Sequence, residues 1–458
     1  MISEKYSFIK KYNATRPRKR RKFLCYAPFT NMYFNIHGDT APCWLGFTLP
    51  ESYPGKSIKE IWNCDSFNEF RKNIKNLTLE QTCGTCLENL NNGNYVSVLA
   101  KAYDHLGKPA TYPKMMELEL DNTCNLECIM CNGTLSSSIR KNREKKPPLK
   151  IPYDDAFIEQ LNEFIPHLQE LRLNGGEPFL SKRYQQIVEN VAKLNPGLEL
   201  VVATNGTVLN NDIKALMEKV RFDINISIDS LQKDNYEKIR VNAAFEKTMQ
   251  NFNYFLNYCR RKKTKLCVLV NPMRENWWEM ADFIRFGNKH NIPIWFNTVR
   301  YPRQHALWPL PAKQLQHIYD TLSAENIKPN MLKRESFHNV KIFKNLLNNQ
   351  IYQWLSASEQ EQNDVIEDKA KYANPEAFFY EQIEKHLEKI VASKVDVENK
   401  MQTTRNTVER VLNSLTETTI SREDFFNLAN TMPPSMIYKV LMSKSDSELI
   451  KLVTTYGK

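Results

Sequence analysis

The sequence contains no run of about 18 apolar residues, the length a membrane-spanning helix needs. Its first residues, MISEKYSFIKKYN, lack the apolar stretch and small-residue cleavage site of a secretory signal, so a cytoplasmic location is expected. The eight histidines form no H-x2-H or H-E-x2-H pair, which removes the usual signature of a separate metal-hydrolase site. RNP, zinc-finger and helix-turn-helix patterns are missing, so neither a membrane nor a nucleic-acid partner is expected. Cysteine disappears after residue 267, and residues 306–458 hold one glycine, Gly457. Whatever chemistry the thiols perform is therefore confined to the first part of the chain.

What is present is a globular composition of 41% hydrophobic and 25% charged residues over 458 positions, enough for two or three domains. The formal charge is +11. Basic residues concentrate at Arg16–Lys22 and again at Lys141–Lys150. Such runs either attract an anionic partner or simply face water; a solvated arm and a solvated loop are the expectation. Of ten cysteines, five lie within residues 25–86, three within 124–131, and two are Cys259 and Cys267. In a reducing compartment thiols grouped this way read as metal ligands rather than disulfides.

Three zones follow from composition. Residues 1–110 are cysteine-bearing and irregular. Residues 111–305 alternate strand-like runs (Met116–Leu120, Glu170–Leu173, Leu198–Ala203, Asp223–Ile228, Lys265–Val270 and Ile294–Asn297) with helical patterns near 153–165, 180–194, 210–220, 243–261 and 277–290. Strands separated by helices of this length imply βα crossovers and a parallel sheet. Six such strands suit a partial, open α/β barrel, with ligands expected at the carboxyl ends of the strands. Residues 306–458 read as helices, with Asn374-Pro375-Glu376 as a start signal and Phe379, Ile383, Leu387, Ile390 and Val391 as one apolar stripe. A Met432-Pro433-Pro434 step precedes a final helix around Met436–Leu452. Cys259 and Cys267 are expected to be structural thiols, and at least one residue of Trp277-Trp278 is expected to pack its helix on the sheet.

Directly after the first strand of the middle zone stands Cys124-x3-Cys128-x2-Cys131. Thiolates this close suit a loop wrapped round one soft cluster, with three ligands leaving one iron open. Structural thiols, or a zinc site completed by a distant residue, are the alternatives that spacing leaves. Three more motifs follow the next three strands: Asn174-Gly175-Gly176-Glu177-Pro178, Thr204-Asn205-Gly206 and Ser227-Ile228-Asp229-Ser230. With these in register, the segment from about 112 to 300 resembles the radical S-adenosylmethionine (SAM) enzymes, whose signature is C-x3-C-x2-C.

That resemblance implies a partial (β/α)6 barrel whose [4Fe–4S] cluster is held by Cys124, Cys128 and Cys131. It places Gly175, Gly176, Glu177 and Pro178 at the amino group of SAM, Asn205 in the following motif, and Ser227 and Asp229 at the ribose. Arg240 falls where related enzymes offer an arginine to the carboxylate. Met130 stands where the family usually has an aromatic residue beside the adenine; a thioether can pack on that face too.

The first zone carries Cys25, Gly38-x4-Cys43, the phrase Ser57-Ile58-Lys59-Glu60-Ile61-Trp62-Asn63, and Cys83-Gly84-Thr85-Cys86. It resembles the SPASM/twitch modules of radical enzymes, which usually follow the barrel and here precede it. The resemblance implies one auxiliary [4Fe–4S] cluster on Cys25, Cys43, Cys83 and Cys86, with Cys64 outside the set; a zinc site is the alternative. Four thiolates with no open position suit an electron relay or a scaffold.

The expected whole is a cysteine-rich cluster domain at 1–110, a radical SAM barrel at 111–305 and a helical extension at 306–458. The expected function is that of an oxidoreductase or maturase. It would cleave SAM reductively to a 5′-deoxyadenosyl radical, take electrons from a flavodoxin or ferredoxin, and abstract hydrogen from a peptide. Oxidation or epimerisation of a small metabolite or carbohydrate is the second expectation. A non-catalytic iron–sulfur carrier or scaffold is the reading from another class.

Overall fold

The computed structural model describes residues 8–456 except 80–82, 96, 301, 357, 359–373, 392, 416–420 and 431–433. The chain divides into two compact units, Met1–Ser356 and Ala357–Lys458.

The first unit is built on one eight-stranded sheet in the order β2-β1-β3-β4-β5-β6-β7-β8. The strands are β1 (Asn31–Phe34), β2 (Thr40–Ala41), β3 (Met115–Leu118), β4 (Glu170–Leu173), β5 (Glu199–Thr204), β6 (Arg221–Ser227), β7 (Leu266–Val270) and β8 (Ile294–Phe296). From β1 through β8 every pairing is parallel, and only β2 runs antiparallel, against β1. Strands β3–β8 are the six read from the sequence, joined by helices that include Asp155–Phe164, Lys182–Leu194, Asn211–Lys219, Phe245–Lys262 and Met280–His290. Side-chain alternation gives the sheet two faces. Met116, Leu118, Leu171, Leu173, Leu200, Val202, Ile224, Ile226, Val268 and Ile294 are buried in the main core. The register aligns Tyr33, Glu117, Arg172, Val201 and Asp223 on the other face. The result is a partial barrel, open between β2 and β8, with an apolar side under the helices and a polar side within.

The two added strands come from the cysteine-rich zone, which is thus continuous with the barrel sheet. A buried polar chain stitches the two together. Glu117 Oε1 accepts from Asn31 Nδ2 at 2.7 Å and from the Tyr103 hydroxyl at 2.6 Å. Arg172 reaches Glu117 at 3.5 Å and Glu170 at 2.5 Å, and Glu170 in turn meets His105 Nε2 at 2.8 Å. Burial pushes the Glu170 carboxyl up, but the His105 hydrogen bond and the Arg172 charge outweigh it and hold the group at about 2. A depressed folded value stabilises above the ordinary carboxylate range, and that contribution is lost as pH falls from about 4.5 towards 2. Glu170→Gln is therefore expected to lower stability at pH 7 by up to about 3 kcal/mol, with roughly half of the difference gone at pH 3. Denaturant unfolding of both proteins at the two pH values measures this; a difference that does not shrink at pH 3 contradicts it.

The basic run Arg16–Lys22 is not a free arm. Arg16 is buried and binds Asp104 through Nε at 2.8 Å and Nη2 at 2.5 Å. Arg21 donates to the Arg16 carbonyl, and Arg20 to that of His105. These arginines fasten the first helix, Phe8–Ala14, to the segment Leu99–Leu106. Arg18, Lys19, Arg21 and Lys22 are exposed, as a solvated run should be; Arg16 departs from that expectation, because the chain alone does not show that an acid 88 residues on faces it.

The first unit also extends past residue 305. Helices Ala312–Ser323 and Arg334–Leu346 place Leu315, Ile318, Leu322 and Phe343 in the same core as the barrel. The second unit has its own core, in which Phe379, Ile383, Leu387, Val408, Val411 and Phe426 pack together. Asn374 caps the helix Pro375–Ile390 by accepting from Ala377 N, as its sequence suggests. Ile390, from the expected stripe, is instead exposed. The Met432-Pro433 step lies outside the described residues, and beyond it stand two helices, Pro434–Ser443 and Asp446–Tyr456, in place of one. No described helix is long and apolar enough to cross a membrane.

Candidate functional site

The loop after β3 is held open by its own polar residues. Asp121 Oδ1 accepts from Thr123 N at 2.8 Å and Thr123 Oγ1 at 2.5 Å, while Oδ2 takes Ser181 Oγ at 3.0 Å and Arg183 Nη1 at 3.2 Å. Ser138 Oγ donates to the Cys124 carbonyl at 2.7 Å, and Ser136 Oγ to that of Leu126 at 2.7 Å. Ile129 N reaches the Ile239 carbonyl at 3.0 Å. The second basic run takes part as well: Arg143 Nη1 donates to the carbonyls of Glu127 and Cys128, and Glu144 accepts from Gly133 N at 2.7 Å. The expected solvated loop at 141–150 thus packs partly on the cysteine loop.

The Asn174–Pro178 motif lies against this loop. Gly176 N donates to the Asp121 carbonyl at 3.0 Å, and Glu177 N to that of Thr123 at 2.7 Å. Gly175 has φ +112°, and a Cβ on Gly176 would come within 2.4 Å of the Thr123 oxygen. The glycines are required by this backbone approach to the cysteine loop. Glu177 is fully buried, accepting from Phe179 N at 3.2 Å, Thr204 Oγ1 at 2.8 Å and Asn205 N at 2.7 Å. Burial pushes its carboxyl up to about 7. Pro178 opens the short turn Pro178–Leu180. Asn205 closes the circle: its Nδ2 donates to Asn125 Oδ1 at 3.0 Å and lies 3.9 Å from Cys124 Sγ.

After β6, Ser227 is half-buried and pairs in register with Leu269. Asp229 is completely buried. Its Oδ1 accepts from Asn271 N at 2.7 Å and Nδ2 at 3.0 Å, and its Oδ2 pairs with Arg240 Nη2 at 2.6 Å. Arg240 Nη1 lies 3.9 Å from Cys128 Sγ. That ion pair is off the line of a good hydrogen bond: Asp229 Oδ2 and Arg240 Nε are both buried with no hydrogen-bond partner among the described residues. Sequence reasoning missed the groups that set this geometry. Asn276 Nδ2 donates to the Asp229 carbonyl at 2.7 Å, and Glu279 accepts from Ser230 Oγ, Leu231 N and Asn235 Nδ2 at 2.7–2.9 Å. Neither Asn276 nor Glu279, which flank the tryptophan pair, belongs to a motif with a spacing that marks it in the sequence. Trp277 packs on the core and Trp278 is exposed. Met130 joins a separate small apolar cluster with Ile239, Met273, Val299, Ala306 and Trp308.

In the cysteine-rich zone, Cys25, Cys43, Cys83 and Cys86 line one cavity together with Tyr103. Burial is the main cause of the raised thiol values of Cys25 and Cys43, and the neighbouring cysteines add to it. Cys64 is elsewhere, its sulfur accepting from Phe67 N at 3.4 Å as the cap of the helix Asp65–Asn76. Cys259 is buried, whereas Cys267 is only half-buried.

Residues 118–287 match the model of the Radical SAM superfamily, and residues 25–87 match that of an iron-sulfur cluster-binding domain, SPASM. The barrel is a radical SAM domain. The SPASM domain precedes it. Among curated relatives it is 27% identical over 196 residues to the molybdenum cofactor biosynthesis protein moc-5 of Caenorhabditis elegans, covering 42% of this chain and 30% of that one. It is 21% identical over 193 residues to GTP 3',8-cyclase of Clostridium botulinum, covering 42% and 57%. The chain thus spans between about a third and somewhat over half of the length of these relatives. SuiB of Streptococcus suis, solved with bound S-adenosylmethionine, superposes with a TM-score of 0.35 at 13% identity, covering 56% and 58%. That likeness bears no further weight.

Radical SAM proteins use a [4Fe–4S] cluster and SAM, and the SPASM domain brings an auxiliary cluster. The residues present fit these groups. Cys124, Cys128 and Cys131 set three soft donors on one loop, Cys128 buried and the other two half-buried. Arg240 Nε is buried with no hydrogen-bond partner among the described residues, a donor that suits a polar ligand, while Asp229 Oδ2 is already ion-paired with Arg240 Nη2. The four SPASM cysteines supply four soft donors round one cavity.

Proposed function

We propose that this protein is an enzyme that cleaves SAM reductively at a cluster held by Cys124, Cys128 and Cys131, with Cys25, Cys43, Cys83 and Cys86 holding the auxiliary cluster. One observation carries the reading: the three-cysteine loop, Glu177 and Asn205 lie at the carboxyl ends of successive parallel strands and are joined by direct contacts, and Arg240, at the end of the helix Lys233–Ile239, reaches the same loop. When bound, the cluster and SAM supply one-electron cleavage of the C5′–S bond, giving methionine and a 5′-deoxyadenosyl radical that takes a hydrogen atom from the substrate.

The chain's own part is to bind and orient. Glu177 Oε2 accepts one bond and has room for another, from the ammonium of the methionine moiety. Gly175, Gly176 and Pro178 fix that carboxylate against the cysteine loop. Arg240 offers its free Nε to the ligand's carboxylate, Ser227 stands at the ribose, and the Met130 cluster gives the adenine an apolar wall. Asp229 enters through Arg240, since its own oxygens face Asn271 and that guanidinium.

The substrate side is the polar inner face of the barrel. Tyr33 donates to Glu119 Oε2 at 2.7 Å at the ends of β1 and β3, and burial raises the Glu119 carboxyl, a state suited to taking a proton from an oxidised substrate. A peptide side chain is the proposed substrate, because the barrel is open between β2 and β8 and Trp295 lies partly exposed on β8. A small nucleotide-like metabolite is the second reading, favoured by the relatives named GTP 3',8-cyclase. A flavodoxin or ferredoxin is the proposed electron donor. Anaerobic turnover with deuterated candidate peptides and nucleoside triphosphates separates the two: deuterium in 5′-deoxyadenosine from a peptide supports the first, and deuterium from a nucleotide the second. Absence of 5′-deoxyadenosine in every reaction, with iron present, overturns the enzymatic reading.

A further inference from the structure

The pairing of Arg240 with Asp229 has a direction. Arg240 lies between a cysteine of the triad and an acid, with Nη1 3.9 Å from Cys128 Sγ and Nη2 2.6 Å from Asp229 Oδ2. The carboxylate is held by two donors of Asn271, and Asn276 fixes its backbone. Both side chains are almost wholly buried, at 6% and 0% exposure, so their field at the sulfur is little screened by solvent or salt. The pair is neutral overall, yet its positive end faces the sulfur.

From this orientation we infer that Arg240, set by Asp229, is a positioning residue that raises the reduction potential of the cluster on the cysteine triad. The inference rests on the proposed assignment of that triad. Reduction adds one electron to the cluster, supplied by the donor protein or a chemical reductant, and it breaks no bond and moves no proton. Extra negative charge spread onto the Cys128 sulfur is stabilised by the adjacent guanidinium and by any N–H donated to it, and hydrogen bonds and local charge at the sulfurs set such potentials. A guanidinium committed only to SAM would leave the potential of the SAM-free protein unmoved.

The test is an EPR-monitored redox titration of the full, anaerobically reconstituted protein without SAM, following the signal that Cys128→Ala lacks. Asp229→Asn leaves the guanidinium unopposed and is expected to raise the reduced-to-oxidised ratio at fixed potential about tenfold, equivalent to about 59 mV for one electron. Arg240→Met is expected to lower the ratio by a similar factor. Because Arg240→Met strands a buried acid, the paired variant Arg240→Met with Asp229→Asn guards against misfolding, and its potential should also fall below that of the parent. Shifts of the same sign in Asp229→Asn and the paired variant, or no shift in either with iron content intact, overturn the inference and leave the pair a packing feature. A parent protein that takes up iron only at the SPASM cysteines removes the triad assignment, and this inference with it.

Discussion

Cys128→Ala is expected to reduce 5′-deoxyadenosine formation to background and to lower iron from about eight to about four atoms per chain. Cys128 is the buried member of the triad, and its loop is pinned on both sides, by Ile129 N on the Ile239 carbonyl and by Arg143 on the carbonyls of Glu127 and Cys128. The fold should persist, because the substitution removes one sulfur from a half-open site and leaves the Asp121, Ser136 and Ser138 bonds in place. Cys267→Ala serves as the control, with iron and product unchanged. Iron and sulfide analysis, with chromatographic detection of 5′-deoxyadenosine, reads both. A Cys128→Ala protein that retains parental product and iron would show that the triad is not the ligand set.

Glu177 is expected to give the largest loss of stability. Replacement by alanine leaves the buried donors Phe179 N, Thr204 Oγ1 and Asn205 N without their acceptor. At about 1–3 kcal/mol for each unsatisfied group the total reaches roughly 3–9 kcal/mol, a large share of a typical domain's stability. Glutamine keeps one oxygen but turns an amide N–H2 towards a backbone donor, so an intermediate loss is expected, with SAM affinity down at least about tenfold. The pH dependence has a definite sign. Burial raises Glu177 from 4.5 to about 7 in the folded protein, so the folded state holds a proton there that the unfolded chain has released. The metal-free protein should therefore lose stability as pH rises from about 4.5 to 7, by up to about 3 kcal/mol from this group, and level off above. Glu177→Gln should flatten that slope. Unfolding of the metal-free proteins at pH 5 and pH 8, with calorimetric titration of SAM, tests both statements; identical slopes in parent and glutamine variant would refute the assignment.

Strands β3–β8 were legible because their aliphatic residues alternate and the intervening helices have clear caps, such as Asp154 accepting from Phe157 N and Asn210 from Ile213 N. Strand β1 was not, since its four residues, Asn-Met-Tyr-Phe, carry no alternation of apolar and polar side chains. The helix Lys233–Ile239 was also unread, although it delivers Arg240 to its place. The candidate site was legible as motifs but not as contacts. Asp229 and Arg240 each carried a ligand role in the sequence, and only the turn of the chain through that helix reveals that they face each other. Glu279 and Asn276 carried no signal at all, because a carboxylate that organises a backbone turn has no spacing rule. Arg16 and Asp104 make the same point: basic runs advertise charge, and burial decides what the charge is for.

Strand β1 also shields one side of β3. If the chain were cut before residue 111, the backbone donors and acceptors of Met115–Leu118 that now pair with Asn31–Phe34 would lie bare, and Glu117 would lose Asn31 and Tyr103. An unpaired, apolar strand edge is a template for adding another strand, and polypeptides that expose one tend to stack on copies of themselves. A truncated barrel would therefore be expected to aggregate rather than serve as a minimal catalyst. The cysteine-rich segment is thus a guard against self-association as well as a home for a cluster, and the two duties cannot be separated by trimming the gene.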